Sequence, residues 1–333
     1  MALMNGTEPN IEIFKPFGDA FELMKKILFQ PFDFKKWLAT GFAAFLTGHF
    51  GGIGFNFPTN FGNVRQPHAA QKINLLEQWK PWLPVIIIGF VIFVLALVIV
   101  LMWLRSRGSF IFTDCIVRNR GAIIEPWREY RTEGNSYFVF QLLVMLVAMA
   151  AVVVLAIVFV LLGFLAGGHR ELSGVVMAAL LVPLFICWIA FSILINLIFL
   201  FMAPVMYRQR CPAPDAATQV LRLIFANPAP FILFCLFGIV LVLSMLVIGC
   251  AVTCATCCIG ALPYVGTVIL LPVFVTLRSF SLLFLRQFGS DYDMWASLVP
   301  PEFLPILSPA SPAPPPSTSA LNAPPEPRLP PAG

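Results

Sequence analysis

Hydrophobic residues run uninterrupted by Asp, Glu, Lys or Arg from Leu83 to Leu104, Ser136 to Gly168, Leu172 to Tyr207 and Leu223 to Leu277. A helix needs about 20 apolar residues to cross roughly 30 Å of hydrocarbon, so each run can span a bilayer. The last is more than twice that length and has to turn back. Cys257-Cys-Ile-Gly-Ala-Leu-Pro263 is the place for it, because Gly and Pro together release the backbone from a helix. Continuous apolarity selects helices over a barrel, whose strands would alternate. An earlier segment, Trp37 to Phe57, is apolar but interrupted by Gly41, Gly48, Gly51, Gly52 and Gly54, and reads as a short or re-entrant crossing. The pattern predicts an all-α fold, a polytopic transmembrane helical bundle of about six crossings arranged as three hairpins.

A different period precedes the first crossing. Phe14, Phe17, Phe21, Met24 and Leu28 recur at spacings of three and four, with Asp19, Glu22, Lys25 and Lys26 on other faces. This predicts an amphipathic helix on the inner membrane surface, or one packed on the protein's own core. A faint repeat follows: Ile27–Phe34 and Leu223–Phe231 each place a Pro break between an amphipathic stretch and a crossing, and Ile123–Arg131 opens the middle pair similarly. Three units result, each an interfacial helix followed by an out-and-back hairpin. The organisation expected is an amphipathic segment over 1–36, a transmembrane domain over 37–288 and a Pro-rich disordered tail over 289–333. Pro314-Pro-Pro316 and Pro324–Pro331 mark that tail as chain with too little apolar surface to fold.

Composition agrees and adds orientation. The chain is 59% hydrophobic and only 11% charged, against about 25% charged for soluble domains. With six crossings, seventeen of the 21 Lys and Arg fall on the side of the termini, leaving Arg65, Lys72, Lys80 and Arg170 opposite. The positive-inside rule then puts both termini in the cytoplasm of a cell inner (plasma) membrane. Glu8, Glu12, Asp19 and Glu22 argue against a cleavable leader at the start.

Few residues offer chemistry. Cys250, Cys254, Cys257 and Cys258 cluster beyond the fifth crossing, read as packing, a disulfide or redox role, or soft metal ligation. His49, His68 and His169 all fall on the exterior side. Asp114 and Arg278 lie in apolar surroundings and form a candidate intramembrane pair, the alternative being an interfacial Asp helped by Arg118 and a snorkelling Arg. Arg105, Arg107, Arg118, Arg120, Trp127, Arg128 and Arg131 make a basic, aromatic loop suited to anionic lipid headgroups. The interleaved Asp114, Glu125, Glu129 and Glu133 disfavour nucleic acid. Gln141, Ser192 and Asn196 are thin candidates for a polar path through the bundle. No Ser-His-Asp order, carboxylate pair or His-Glu-x-x-His pattern is present, so neither an enzyme nor a cofactor is expected.

The block Trp103–Tyr130, with Pro31-Phe-Asp-Phe-Lys-Lys-Trp37, resembles uncharacterised bacterial multipass proteins similar in organisation to the membrane domain attached to some glycerophosphodiester phosphodiesterases. The resemblance covers roughly residues 15–290 and implies no activity and no catalytic residues. The expectation is a non-enzymatic membrane protein that binds lipid or organises protein partners, or a homo-oligomer, at its cytoplasmic face. The alternative is a small-solute or lipid transporter working through the interface between repeated hairpins.

Overall fold

The computed structural model describes residues 12–48, 82–165, 170–256, 262–296 and 298, and every regular element among them is helical. The chain opens with α1 (Phe14–Phe29) and α2 (Phe34–Leu46), continues with α3 (Leu83–Val117) and the short α4 (Ile124–Glu129), and then forms α5 (Arg131–Leu165) and α6 (Arg170–Gln209). It goes on to α7 (Ala213–Ala226), α8 (Pro228–Ala255), α9 (Pro263–Ile269) and α10 (Leu271–Arg286), with a 3-10 turn at Ser290–Tyr292.

Among the described residues, four helices are long and apolar enough to cross a membrane: Pro84–Val117, Arg131–Val158, Val182–Gln209 and Pro228–Ala255. Within the described residues, two of the six expected crossings do not form helices of that kind. The segment predicted over 37–57 contains α2, whose 13 residues reach only about 20 Å; residues 49–57 lie outside the described part. The last crossing is divided into α9 and α10, of 7 and 16 residues. The reason is Pro272, which takes the second position of α10 and cannot continue the preceding helix. Helix α8 ends at Ala255 and α9 begins at Pro263; of the turn predicted at 257–263, residues 257–261 lie outside the described part.

Burial divides the long helices into two zones. Their apolar stretches leave Phe90, Phe93, Val153, Ile186, Leu236 and Val247 exposed, a surface that water would penalise and hydrocarbon accepts. Their other ends converge on one core. Phe110 and Phe112 of α3, Phe201 and Met206 of α6, and Phe274 and Phe284 of α10 are all buried there. Phe201, Phe231, Phe234, Phe280 and Phe284 interlock at centroid separations of 4.6–5.9 Å. The 35-residue α3 is about 52 Å long, well over the roughly 30 Å of a hydrocarbon layer. Its uncharged part, Leu83–Leu104, takes up about 33 Å of that, so Arg105 marks where the helix leaves the apolar zone.

Helix α1 forms as its spacing predicts, but its buried side is Ala20, Leu23, Met24, Ile27 and Leu28. That side packs along α10, with Phe17 edge-on to Phe280 at 5.9 Å. Phe14 and Phe21 remain exposed, so the helix is both core-packed and apolar outward. Asp33 caps α2 by accepting from Lys35 N–H at 2.8 Å. Gly48 follows α2 with φ +86°, the left-handed conformation that ends helices and suits glycine.

Candidate functional site

Where the long helices converge, two polar arrangements lie near each other along α3. One is a closed charge network. Asp114 is fully buried, accepts from Arg120 Nε at 3.0 Å and the Tyr207 hydroxyl at 3.0 Å, and forms an ion pair with Arg118, whose Nε lies 3.1 Å away. Glu129 accepts both Arg118 terminal nitrogens, at 3.2 and 2.9 Å, and also pairs with Arg210. Arg210 lies 3.8 Å over the Tyr130 ring, which stacks on Tyr207 at 4.7 Å. Arg107 stacks over Trp103 and Trp127, at 4.6 and 5.0 Å, and donates to Asn135 at 2.8 Å.

The candidate pair of Asp114 and Arg278 is therefore not formed, for an angular reason. Positions 113 and 114 project about 100° apart around a helix, and it is Thr113 that faces Arg278. The set of headgroup candidates divides likewise. Arg107, Arg118 and Arg120 are committed to protein partners, and Trp127 packs edge-on to Trp103 at 5.8 Å. Arg128 and Arg131 are exposed, and Arg105 faces a cavity.

Burial alone would raise the Glu129 carboxyl, but the hydrogen bond and charge of Arg118 with the charge of Arg210 outweigh it and hold the group below the usual carboxylate range. A depressed acid contributes stability that is complete above its unfolded value, about pH 4.3, and lost as pH falls through the lower folded value. Thermal stability is expected to decline on acidification below about pH 4.3, and Glu129→Gln to flatten that decline. An unaltered acid limb in this variant would show that other carboxylates set it.

The second arrangement is a cavity of about 330 Å³, lined by residues of α3, α5, α6 and α10 and by Thr47. Arg105, Ser109, Tyr137, Gln141, Asn196 and Arg278 supply its polar surface. Arg278 donates to Thr113 Oγ1 at 2.8 Å from Nη2 and 3.3 Å from Nε, to Ser109 Oγ at 3.3 Å and to the Leu200 carbonyl at 3.4 Å. That carbonyl is free because Pro204, four residues on and inside α6, has no N–H to give it. Tyr137 donates to the Phe199 carbonyl at 3.1 Å. The Gln141 Oε1 is buried with no hydrogen-bond partner. Of the three polar-path candidates, Gln141 and Asn196 line this cavity. Ser192 does not, and its carbonyl accepts from Asn196 Nδ2 at 2.8 Å.

Cys250 and Cys254 are free and exposed on α8, whereas Cys257, Cys258, the three histidines and the tail from 299 lie outside the described residues. Among the described residues, no group of three or more His, Cys, Asp and Glu is placed to hold a metal ion.

Fold and surface together define a helical protein with, among the described residues, four helices fit to cross a membrane and a polar cavity where those helices converge. The chain belongs to a family of unknown function, DUF7544, whose model matches residues 12–275. It matches no curated protein and no solved structure. The likeness to the membrane domain of some phosphodiesterases stays a resemblance read from the sequence.

Proposed function

We propose that this is a non-enzymatic integral membrane protein that binds anionic lipid at its cytoplasmic face, with both termini and the converging helix ends on that side. The orientation follows from the seventeen-to-four distribution of Lys and Arg. Under this reading α9 and α10 return the chain across the membrane as a broken helix, completing six passages with α2 and the segment after it.

One observation carries the lipid-binding role. Phe14, Phe29, Phe32 and Phe34 are 80%, 49%, 59% and 62% exposed on α1 and the turn into α2, beside the exposed Lys15 and Lys35. Large apolar side chains flanked by cations at a helix surface suit the headgroup boundary, where rings enter the acyl layer and ammonium groups meet phosphate. Arg128 and Arg131 extend the exposed cationic rim.

Each surface cation near an anionic leaflet contributes about 1 kcal/mol. Arg128→Gln with Arg131→Gln is accordingly expected to weaken retention of phosphatidylglycerol by roughly thirtyfold. Native mass spectrometry of the protein released from mixed nanodiscs reads this directly. Unchanged lipid occupancy in that variant, and in one with Phe14 and Phe32 replaced by Ser, would refute the role. A second reading, transport of a small solute or lipid, is favoured by Gln141 and Asn196 meeting in one cavity. Solute uptake into vesicles that depends on Gln141 would support it.

A further inference from the structure

Arg278 is a cation whose neighbours position it without neutralising it. Its four hydrogen bonds go to two hydroxyls and one carbonyl, and among the described residues it forms no ion pair. The carboxylate next to its partner Thr113, that of Asp114, is taken by Arg118, Arg120 and Tyr207. A guanidinium removed from bulk water without a counter-ion is costly, and an ionisable group at membrane depth marks a functional site by default. The hydroxyl that holds it is fixed in turn, since Thr113 Oγ1 donates to the Ser109 carbonyl at 2.8 Å. With the carbonyl freed by Pro204, three fixed acceptors hold the fork on its protein side. Its charge is left for whatever enters the cavity.

The cavity supplies the rest of a ligand site. Arg105 is a second cation on its wall, also without an ion pair among the described residues. Gln141 also lines the cavity, and its Oε1 is buried without a hydrogen-bond partner. The volume of about 330 Å³ is sufficient for a small polar ligand. Two arginines and an amide acceptor match an oxoanion that carries a hydroxyl, because the planar fork pairs with phosphate oxygens two at a time. Depth narrows the class further. Arg105 directly follows the uncharged run of α3, and Tyr137 and Gln141 open that of α5, so the site lies at the boundary of the apolar zone. Val139 and Leu143, exposed on α5 beside it, continue as apolar surface.

We propose that the cavity between α3, α5, α6 and α10 binds a hydroxylated phosphate ester, its phosphate held by Arg278 and Arg105 and its hydroxyl by Gln141. The ester is either the headgroup of a glycerophospholipid entering from the membrane or a free phosphate ester of the same chemistry. The site is separate from the exposed phenylalanine patch and does not depend on it.

The test uses the full-length protein, delipidated and returned to phosphatidylcholine nanodiscs, with three probes: phosphatidylglycerol in the bilayer, glycerol 3-phosphate in solution and inorganic phosphate in solution. Native mass spectrometry and thermal unfolding are the readouts. One phosphatidylglycerol retained per chain, with about tenfold or greater loss in Arg105→Gln and in Arg278→Lys, supports the site with a lipid source. Thermal stabilisation by glycerol 3-phosphate or phosphate, lost in the same two variants, supports it with a soluble source. Arg105 is exposed, so its variant tests binding without threatening the fold. Arg278→Met adds an independent check: it is expected to abolish ligand stabilisation while leaving the unliganded unfolding temperature within a few degrees, because a costly unpaired charge goes with it. Binding of no probe, or binding that persists in both Arg105→Gln and Arg278→Lys, overturns the proposal. Loss of lipid in Arg128→Gln, Arg131→Gln alone leaves the cavity intact and concerns only the surface rim.

Discussion

Asp114→Asn is expected to lower stability by about 3 kcal/mol, measured by unfolding titration in mixed micelles. The side chain is fully buried and is the common partner of Arg118, Arg120 and Tyr207, reached from the segment that follows α3 and from α6. The asparagine keeps the shape, removes the negative charge and turns an N–H₂ group toward two guanidiniums. Losing one partner of a buried ion pair costs about 3–5 kcal/mol, because the remaining charge is left uncompensated. Here the low end applies, since Arg118 and Arg120 are 28% and 27% exposed and keep Glu129 and Glu125 as partners. Tyr207→Phe removes the hydroxyl's hydrogen bond to a charged acceptor and is expected to cost about 1.5–2 kcal/mol. An Asp114→Asn loss no larger than that would show that the arginines do not rely on Asp114.

This network explains how a chain with few charges anchors the ends of its long helices. Asp114 ends α3, Glu129 ends α4, Glu133 opens α5 and Arg210 follows α6, so one cluster joins four segments. Aromatic rings complete it, Tyr130 between Phe110 at 5.9 Å and Tyr207 at 4.7 Å. Arg278 sits outside this cluster though its partner Thr113 is the residue directly before Asp114. Each side of α3 thus has its own electrostatic task.

Depth was readable in the sequence and azimuth was not. Charge-free runs identify the long helices, and the Gly and Pro near 260 locate a break. Gln141 and Asn196 stand out as polar residues within apolar runs, and they do meet in the cavity. What pairs with what depends on rotation about helix axes. Reading Asp114 and Arg278 as a pair needed both to face one way, and a single-residue offset sends them to different partners. The amphipathic α1 shows the same limit: of its spaced stripe Met24 and Leu28 are buried while Phe14 and Phe21 stay exposed, and the neighbouring Ala20, Leu23 and Ile27 complete the buried side. Proline supplies a further sequence signal: inside a helix it frees the carbonyl four residues before it, so Pro204 points to Leu200, the carbonyl on which Arg278 rests.

The tightest backbone approach carries the remaining large effect. A Cβ added at Gly108 would stand 2.6 Å from the Leu46 Cβ, 2.7 Å from its carbonyl carbon and 2.9 Å from its carbonyl oxygen. The obstacle is mostly backbone at the end of α2, which no rotamer change can relieve, so α2 has to move away from α3. Small residues permit such close helix crossings in membrane proteins, and overpacking a fitted interface costs about 1–3 kcal/mol. Gly108→Ala is expected to fall at the upper end of that range and Gly108→Val to prevent recovery of folded protein. Motion of α2 also carries Gly48, which packs against the Arg105 side chain with a would-be Cβ 3.2 Å from its Cδ. The Ala variant is therefore expected to lose ligand stabilisation at the cavity along with intrinsic stability. Gly89, on the same helix with nothing within 4 Å of its added Cβ, provides the contrast. Gly89→Ala is expected to be neutral or to stabilise by up to about 1 kcal/mol, through reduced backbone freedom in the unfolded chain. Equal unfolding midpoints for the two alanine variants would mean that α2 and α3 do not approach as closely as Gly108 and Leu46 indicate.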